Sequence, residues 1–368
     1  MYCRNFKFPM ITLYSLLAIG AVSVAHSKDV TIISHNIICE EPNRYIGWPT
    51  VVYTKKGELV AVFSGDRDEH VCPWGKTQMV RSKDLGNTWT KPITINNTPL
   101  DDRDAGIIET QKGTLLVSWF TSLYFETHNN PLWKRHSEKL DNENRQKWLG
   151  NWVRRSIDGG TTWEEPIRTH FSAPHGPIQL QNGRLLYVGW NAPDKIGVDE
   201  SRDDGLSWQV IGAIPISSTE QAKYFTEPHV VEVEKDKLVA LMRYEKPNEE
   251  FLHQSESSDG GKTWSLAHNT GIWGFPPHVI KLKNGYLLAS FGRRKPPYGE
   301  HACISKDGGK SWDVKNEIVI NSAPNDDLGY PASVQFGDNS IFTVYYQKNS
   351  KSKKTILMGT HWRFENQP

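Results

Sequence analysis

Side chains suited to proton transfer recur at one register of this chain. Six segments read as hairpins: "PTVVYTKKGELVAVF", "AGIIETQKGTLLVSW", "HGPIQLQNGRLLYVGW", "PHVVEVEKDKLVALM", "HVIKLKNGYLLASF" and "PASVQFGDNSIFTVYY". Aligned on the turn Gly, or its Asp or Asn equivalent, they share a position occupied by Trp48, Asp104, Pro174, Glu227, Pro276 and Tyr330. The next position holds Pro49, Ala105, His175, Pro228, Pro277 and Pro331, and His229 and His278 lie one step further along. Carboxylates, imidazoles and a phenol donate and accept protons at a reacting centre. Each alone reads as a bonded residue at a strand end, whereas several converging on one mouth read as a site. His70, His175, His229 and His278 come from separate segments without local ligand spacing, so no metal or other cofactor is expected. Trp48, Trp74 and Trp190 are open to two readings, stacking on sugar rings or internal packing.

The elements that must position these residues are short strands. Each of the six segments has period-two apolar patterning around a tight polar turn. A second motif alternates with them: "SKDLGNTW", "RSIDGGTTW", "SRDDGLSW", "SSDGGKTW" and "SKDGGKSW". All carry S-x-D-x-G-x-[TS]-W, with the Asp at positions 84, 158, 203, 259 and 307. Self-similarity at a period of roughly 45 to 75 residues points to a propeller or array. Six hairpins, each followed by two more strands, build six four-stranded blades around a channel. The sixth blade lacks the Asp motif, and "DVTIISHNI" near the N-terminus is expected to complete it. Residues 129–147 read as a polar surface insertion in the second blade.

Charge is balanced, with 43 Lys+Arg against 42 Asp+Glu, which argues against nucleic acid or an anionic membrane as partner. At the N-terminus Arg4 and Lys7 precede the apolar run "MITLYSLLAIGAVSVA", with Ser23 and Ala25 before a cut. Residues 1–25 therefore read as a secretory signal peptide, and residues 28–368 as one periplasmic or secreted domain, expected to be a monomer without membrane insertion. Cys39, Cys72 and Cys303 remain after the cut; their odd count argues against a disulfide scaffold, and Cys39–Cys72 is a possible bridge.

The S-x-D-x-G-x-[TS]-W repeat resembles the Asp box of the sialidase superfamily across nearly the whole mature chain. That resemblance implies an all-β, six-bladed sialidase-like β-propeller whose five Asp boxes are structural. It also implies roles for residues. "TEPHVVEV…ALMRYE" sets Glu227 at the glutamate that assists the nucleophile and Arg243 at an arginine of the carboxylate-binding triad. "GYPASVQF" sets Tyr330 at the tyrosine nucleophile. Arg293 or Arg294 corresponds to another triad arginine, and Arg67 in "FSGDR" to the arginine of the family's E-A-R. The chain departs from the family where R-I-P reads Gly47-Trp48-Pro49, so the leading arginine is missing. It departs again where the aspartic general acid is expected, with Asp68 or His70 as substitutes.

Two chemistries follow. Arg67, Arg243 and Arg293 could clamp the carboxylate of a uronate while a His or Tyr removes the C5 proton and another group protonates what leaves C4. With a sugar leaving this is a lyase; with hydroxyl leaving it is a dehydratase, and the histidine departures resemble sialidase-like dehydratases of ulvan breakdown. On this reading His70, His175, Glu227, Tyr330 and Asp104 are catalytic, with Trp48, His229 and His278 beside the arginines as substrate contacts. The alternative is a retaining exo-glycosidase with Tyr330 as nucleophile. A non-catalytic sugar-binding propeller is the third reading. An acidic oligosaccharide is the expected partner in each.

Overall fold

The computed structural model describes residues 30–191, 195–217, 221–348 and 354–365. The segment read as a signal peptide lies outside them. Among the described residues the strands form six four-stranded antiparallel sheets. Blade 1 comprises Tyr45–Tyr53, Leu59–Arg67, Lys76–Ser82 and Ile93–Asn96. Blades 2 to 5 begin at Asp101–Glu109, Ile178–Gln179, Phe225–Glu234 and Pro277–Lys281. Blade 6 runs Leu328–Gln335, Ile341–Lys348, Thr355–Phe364, and its outer strand is the N-terminal Val30–Cys39. That strand pairs from Val30 with Phe364 to Cys39 with Leu357, so the two ends of the chain close the ring, as the sequence predicts. Closure of this kind leaves only short, protected sheet edges.

Apolar side chains on alternate strand positions pack between neighbouring blades. Val60, Val62 and Met79 of blade 1, for example, meet Ala105, Ile107 and Val117 of blade 2. The Asp boxes fold the outer turns by one repeated set of bonds. In the first, Ser82 Oγ donates to Asp84 Oδ1 (2.8 Å) and accepts from the Gly86 amide (2.9 Å). The Thr88 amide and hydroxyl both donate to Asp84, at 2.9 and 2.6 Å. The same bonds recur at Asp158, Asp203, Asp259 and Asp307. These carboxylates face outward and are fully engaged by the turn.

The insertion is more than surface. It folds into α1 (Pro131–Lys139), capped by Asn130, and α2 (Asn142–Trp148), capped by Asp141. Trp133 and Phe125 bury against Val71 and Trp74, which tie the insertion to the loop after Arg67. Cys39, Cys72 and Cys303 are free buried thiols, so the considered bridge is not formed. No helix among the described residues is long and apolar enough to cross a membrane.

Candidate active site

The residues aligned on the turn glycines share one backbone conformation. Trp48, Asp104, Glu227 and Tyr330 have φ of 55°, 52°, 49° and 56°. Each sits where the innermost strand slips register against its neighbour. Left-handed backbone is uncommon for non-glycine residues, and bulges of this kind re-aim a side chain. The two remaining positions are Pro174 and Pro276, whose rings lock φ near −65° and forbid the same excursion. Strain held at equivalent points of four blades marks the mouth as a functional region.

A cavity of about 380 Å³ opens there, and Asp104, Glu227, Tyr330, Arg243, Arg103, Arg294 and His70 are among the residues that line it. The Tyr330 hydroxyl donates to Glu227 Oε1 at 2.6 Å. Arg243 donates to the other oxygen, Oε2, also at 2.6 Å, and its second terminal nitrogen donates to Glu245 at 2.6 Å. Burial, reinforced by Glu227 and Asp104, pushes the Tyr330 phenol well above its ordinary value, so it rests protonated. Asp104 is buried with Oδ1 unpartnered among the described residues. Burial, with Glu227 adding to it against the pull of Arg103, raises the Asp104 carboxyl to about 7.

His70 stands at the rim with an assignable tautomer. Tyr45 Oη donates its only proton to Asp327 (2.7 Å) and lies 3.1 Å from His70 Nδ1. The imidazole must then donate from Nδ1, which leaves Nε2 as a lone pair. Partial desolvation at the rim and the guanidiniums of Arg103, Arg67, Arg294 and Arg243 hold the ring below its ordinary value, which favours the neutral form.

Several expected site residues lie elsewhere. Arg67 is fully buried and grips Asp101 through both terminal nitrogens, at 2.6 and 2.8 Å, so it has no free face for substrate. Trp48 is 1% exposed. It supports the guanidiniums of Arg67 and Arg103, at 4.8 and 4.6 Å from its ring centre, rather than a sugar. Arg293 turns to Glu317 and Trp273, and Arg294 is the member of that pair lining the cavity.

His175, His229 and His278 are brought together, with ring centres 4.4 to 5.6 Å apart, but further down the channel. They line a second cavity that opens among the other ends of the inner strands. One or two residues along a strand is 3 to 7 Å of rise, enough to leave the mouth. His229 and His278 accept backbone amides at Nδ1, which puts their ring protons on Nε2 and closes that nitrogen to a metal. Arg103 was missed by the sequence reading. Its signal was adjacency to Asp104 on an inner strand, and it is the third guanidinium lining the cavity, beside Arg243 and Arg294.

Fold and site together define a six-bladed, sialidase-like propeller with a tyrosine–glutamate couple at its mouth. The chain belongs to the BNR repeat-like domain family, which matches residues 121–343. It is similar to a Dyadobacter fermentans protein of unknown function, at 24% identity and TM-score 0.75, over 91% of this chain and 99% of that one. It is also similar to the NanB sialidase of Streptococcus pneumoniae, at 14% identity and TM-score 0.67, over 89% of this chain and 70% of that one. An α-L-arabinofuranosidase from Fusarium graminearum shares the fold at 16% identity and TM-score 0.59, over 89% and 97% of the respective chains. No curated protein sequence matches the chain.

Proposed function

We propose that this propeller is a carbohydrate-processing enzyme that releases a terminal, carboxylate-bearing sugar from an acidic oligosaccharide, with Tyr330 as nucleophile. The observation that carries the reading is the 2.6 Å bond from the Tyr330 hydroxyl to Glu227, whose other oxygen is held by Arg243. Tyr330 Oη attacks the anomeric carbon while its proton passes to Glu227 Oε1. The glycosidic C–O bond breaks, and the leaving oxygen takes the proton that Asp104 keeps up to neutral pH. Water then attacks the glycosyl-tyrosine, giving a proton to Asp104, and the phenolate recovers its own from Glu227. A neutral phenol approaches an anionic sugar without the repulsion a carboxylate nucleophile would meet. Arg103, Arg243 and Arg294 furnish the carboxylate clamp.

One observation favours a second reading, elimination from the C4 position of a non-reducing-end uronate such as occurs in ulvan oligosaccharides. His70 carries an unprotonated Nε2 at the cavity rim, while Asp104 holds a proton near neutrality. One group free to accept a proton and one able to donate it thus stand at the same mouth. Mass spectrometry of acidic oligosaccharides after incubation separates the two. Products whose summed mass has gained one water support hydrolysis. Cleavage without change in summed mass, or loss of one water from an intact oligosaccharide, replaces it with elimination. We also propose export as a monomer after removal of residues 1–25; an unprocessed N-terminus on protein recovered from outside the cytoplasm would contradict the processing.

A further inference from the structure

The channel holds a second cavity that the chemistry at the mouth does not use. Its volume is about 380 Å³, and aliphatic side chains make up much of its wall, Val52, Ile108, Ile178, Ile280 and Val334 among them. At its head stand His229 and His278, stacked with ring centres 4.4 Å apart and planes 17° from parallel. Each ring is fixed by the blade that follows it. The Val279 amide donates to His229 Nδ1 at 3.0 Å, and the Ser333 amide to His278 Nδ1 at 3.3 Å. The proton of each imidazole therefore sits on Nε2, and neither Nε2 has a hydrogen-bond partner among the described residues. The two residues keep 5% and 6% of their surface open, and both line this cavity and not the mouth. His175 packs edge-on against both rings, and its own centre lies 6.4 Å from that of Tyr330. His175 lines only this cavity and Tyr330 only the other, so the two stand back to back across that pair.

The polar groups around the two imidazoles are already committed. Thr50 Oγ1 donates to the Pro174 carbonyl at 3.2 Å, and Ser333 Oγ shares bonds with Ser290 and Thr343 at 2.9 and 2.8 Å. At the rim both Glu232 oxygens accept amides, from Gln181 (2.6 Å) and Asp236 (2.9 Å), and Lys281 Nζ donates to the Val233 carbonyl (2.6 Å). Two nearly parallel N–H donors thus stand without acceptors at the head of an aliphatic chamber. An unsatisfied donor in such surroundings costs free energy that a ligand oxygen recovers. We infer that this cavity is a second ligand site, separate from the mouth, and that it binds a small aliphatic carboxylate. One carboxylate oxygen meets each imidazole N–H, and the hydrocarbon body lies against the valines and isoleucines. Donors side by side match the paired oxygens of one carboxylate, and hydrogen bonds to an ionised acceptor are the stronger kind. The volume lies in the range of small-molecule pockets. The site stands independently of the reaction assigned to Tyr330.

The test is calorimetric titration of the mature protein with three probes: isovalerate, its neutral amide isovaleramide, and acetate. Isovalerate is expected to bind about tenfold tighter than the amide, which forfeits the charge-assisted bonds. It should also bind about tenfold or more tighter than acetate, which lacks the aliphatic body. Location is read by nuclear magnetic resonance on the unsubstituted chain carrying isotope-labelled histidine, so no variant has to fold. The Nε2–H signals of His229 and His278, assigned through the Val279 and Ser333 amides, should shift with isovalerate while the His70 signals at the mouth stay in place. Shifts confined to His70 would put the carboxylate on the arginines of the mouth and overturn the inference. Equal affinity for isovalerate and its amide would remove the carboxylate head, and binding by none of the three probes would remove the site.

Discussion

Carboxylates at the outer edge of the propeller and at its inner mouth behave in opposite ways. Asp84, in an outer turn, is held at about 2, chiefly by the Thr88 hydroxyl and amide with Ser82 behind them. Asp104, at the mouth, is raised to about 7 by burial. The residue type is the same, and what differs is whether donors or low-dielectric surroundings meet the carboxyl. A motif repeated five times with every oxygen satisfied is a device for folding turns. A single carboxyl, strained at φ 52° and left with an unpartnered oxygen, is placed for chemistry.

The contrast can be broken most sharply at the mouth. Tyr330→Phe should lower kcat by about 10³-fold or more with the fold intact, since only the nucleophile is lost; near-normal steady-state rates would remove the phenol from the mechanism. Arg67→Ala lies between the two regimes, because it leaves Asp101 buried without its bidentate partner. A stability loss of about 3–5 kcal/mol is expected from urea unfolding. A loss of substrate binding at unchanged stability would instead return Arg67 to the site. Asp104→Asn should cost about 10²-fold in kcat and abolish a pH dependence that the native enzyme shows. With the proton required, native activity holds below about 7 and falls as pH rises through that value.

The smallest effect belongs to the outer turns. Their depressed carboxylates contribute stability that is fully present above the ordinary carboxylate range. It is lost as pH falls from about 4 towards the value of about 2 held by Asp84, Asp259 and Asp307. Asp259→Asn should therefore flatten part of the acid-unfolding profile between those pH values without touching the activity profile near 7.

The blades and the mouth register were legible because turn chemistry and strand period count residues in fixed steps. Counting back from the turn glycines reached Asp104, Glu227 and Tyr330, all left-handed at the same bulge. The same counting set His175, His229 and His278 too close to the mouth, because a strand climbs past it within two residues. Partners far apart in sequence were not legible. Nothing local to "FSGDR" indicates that Asp101 captures Arg67, or that Arg103 faces the cavity. The insertion read as polar since its helices are amphipathic only in part, with Trp133 the buried residue of α1.

The central claim is that Tyr330 becomes covalently bonded to the sugar. Acid-quenched reactions with oligosaccharides ending in a carboxylated sugar, digested and mapped by mass spectrometry, test it directly. The account predicts a Tyr330 peptide heavier by one dehydrated sugar residue, absent from Glu227→Gln protein that has not turned over. Product formation with water lost or summed mass unchanged, and an unmodified Tyr330 peptide throughout, would contradict it.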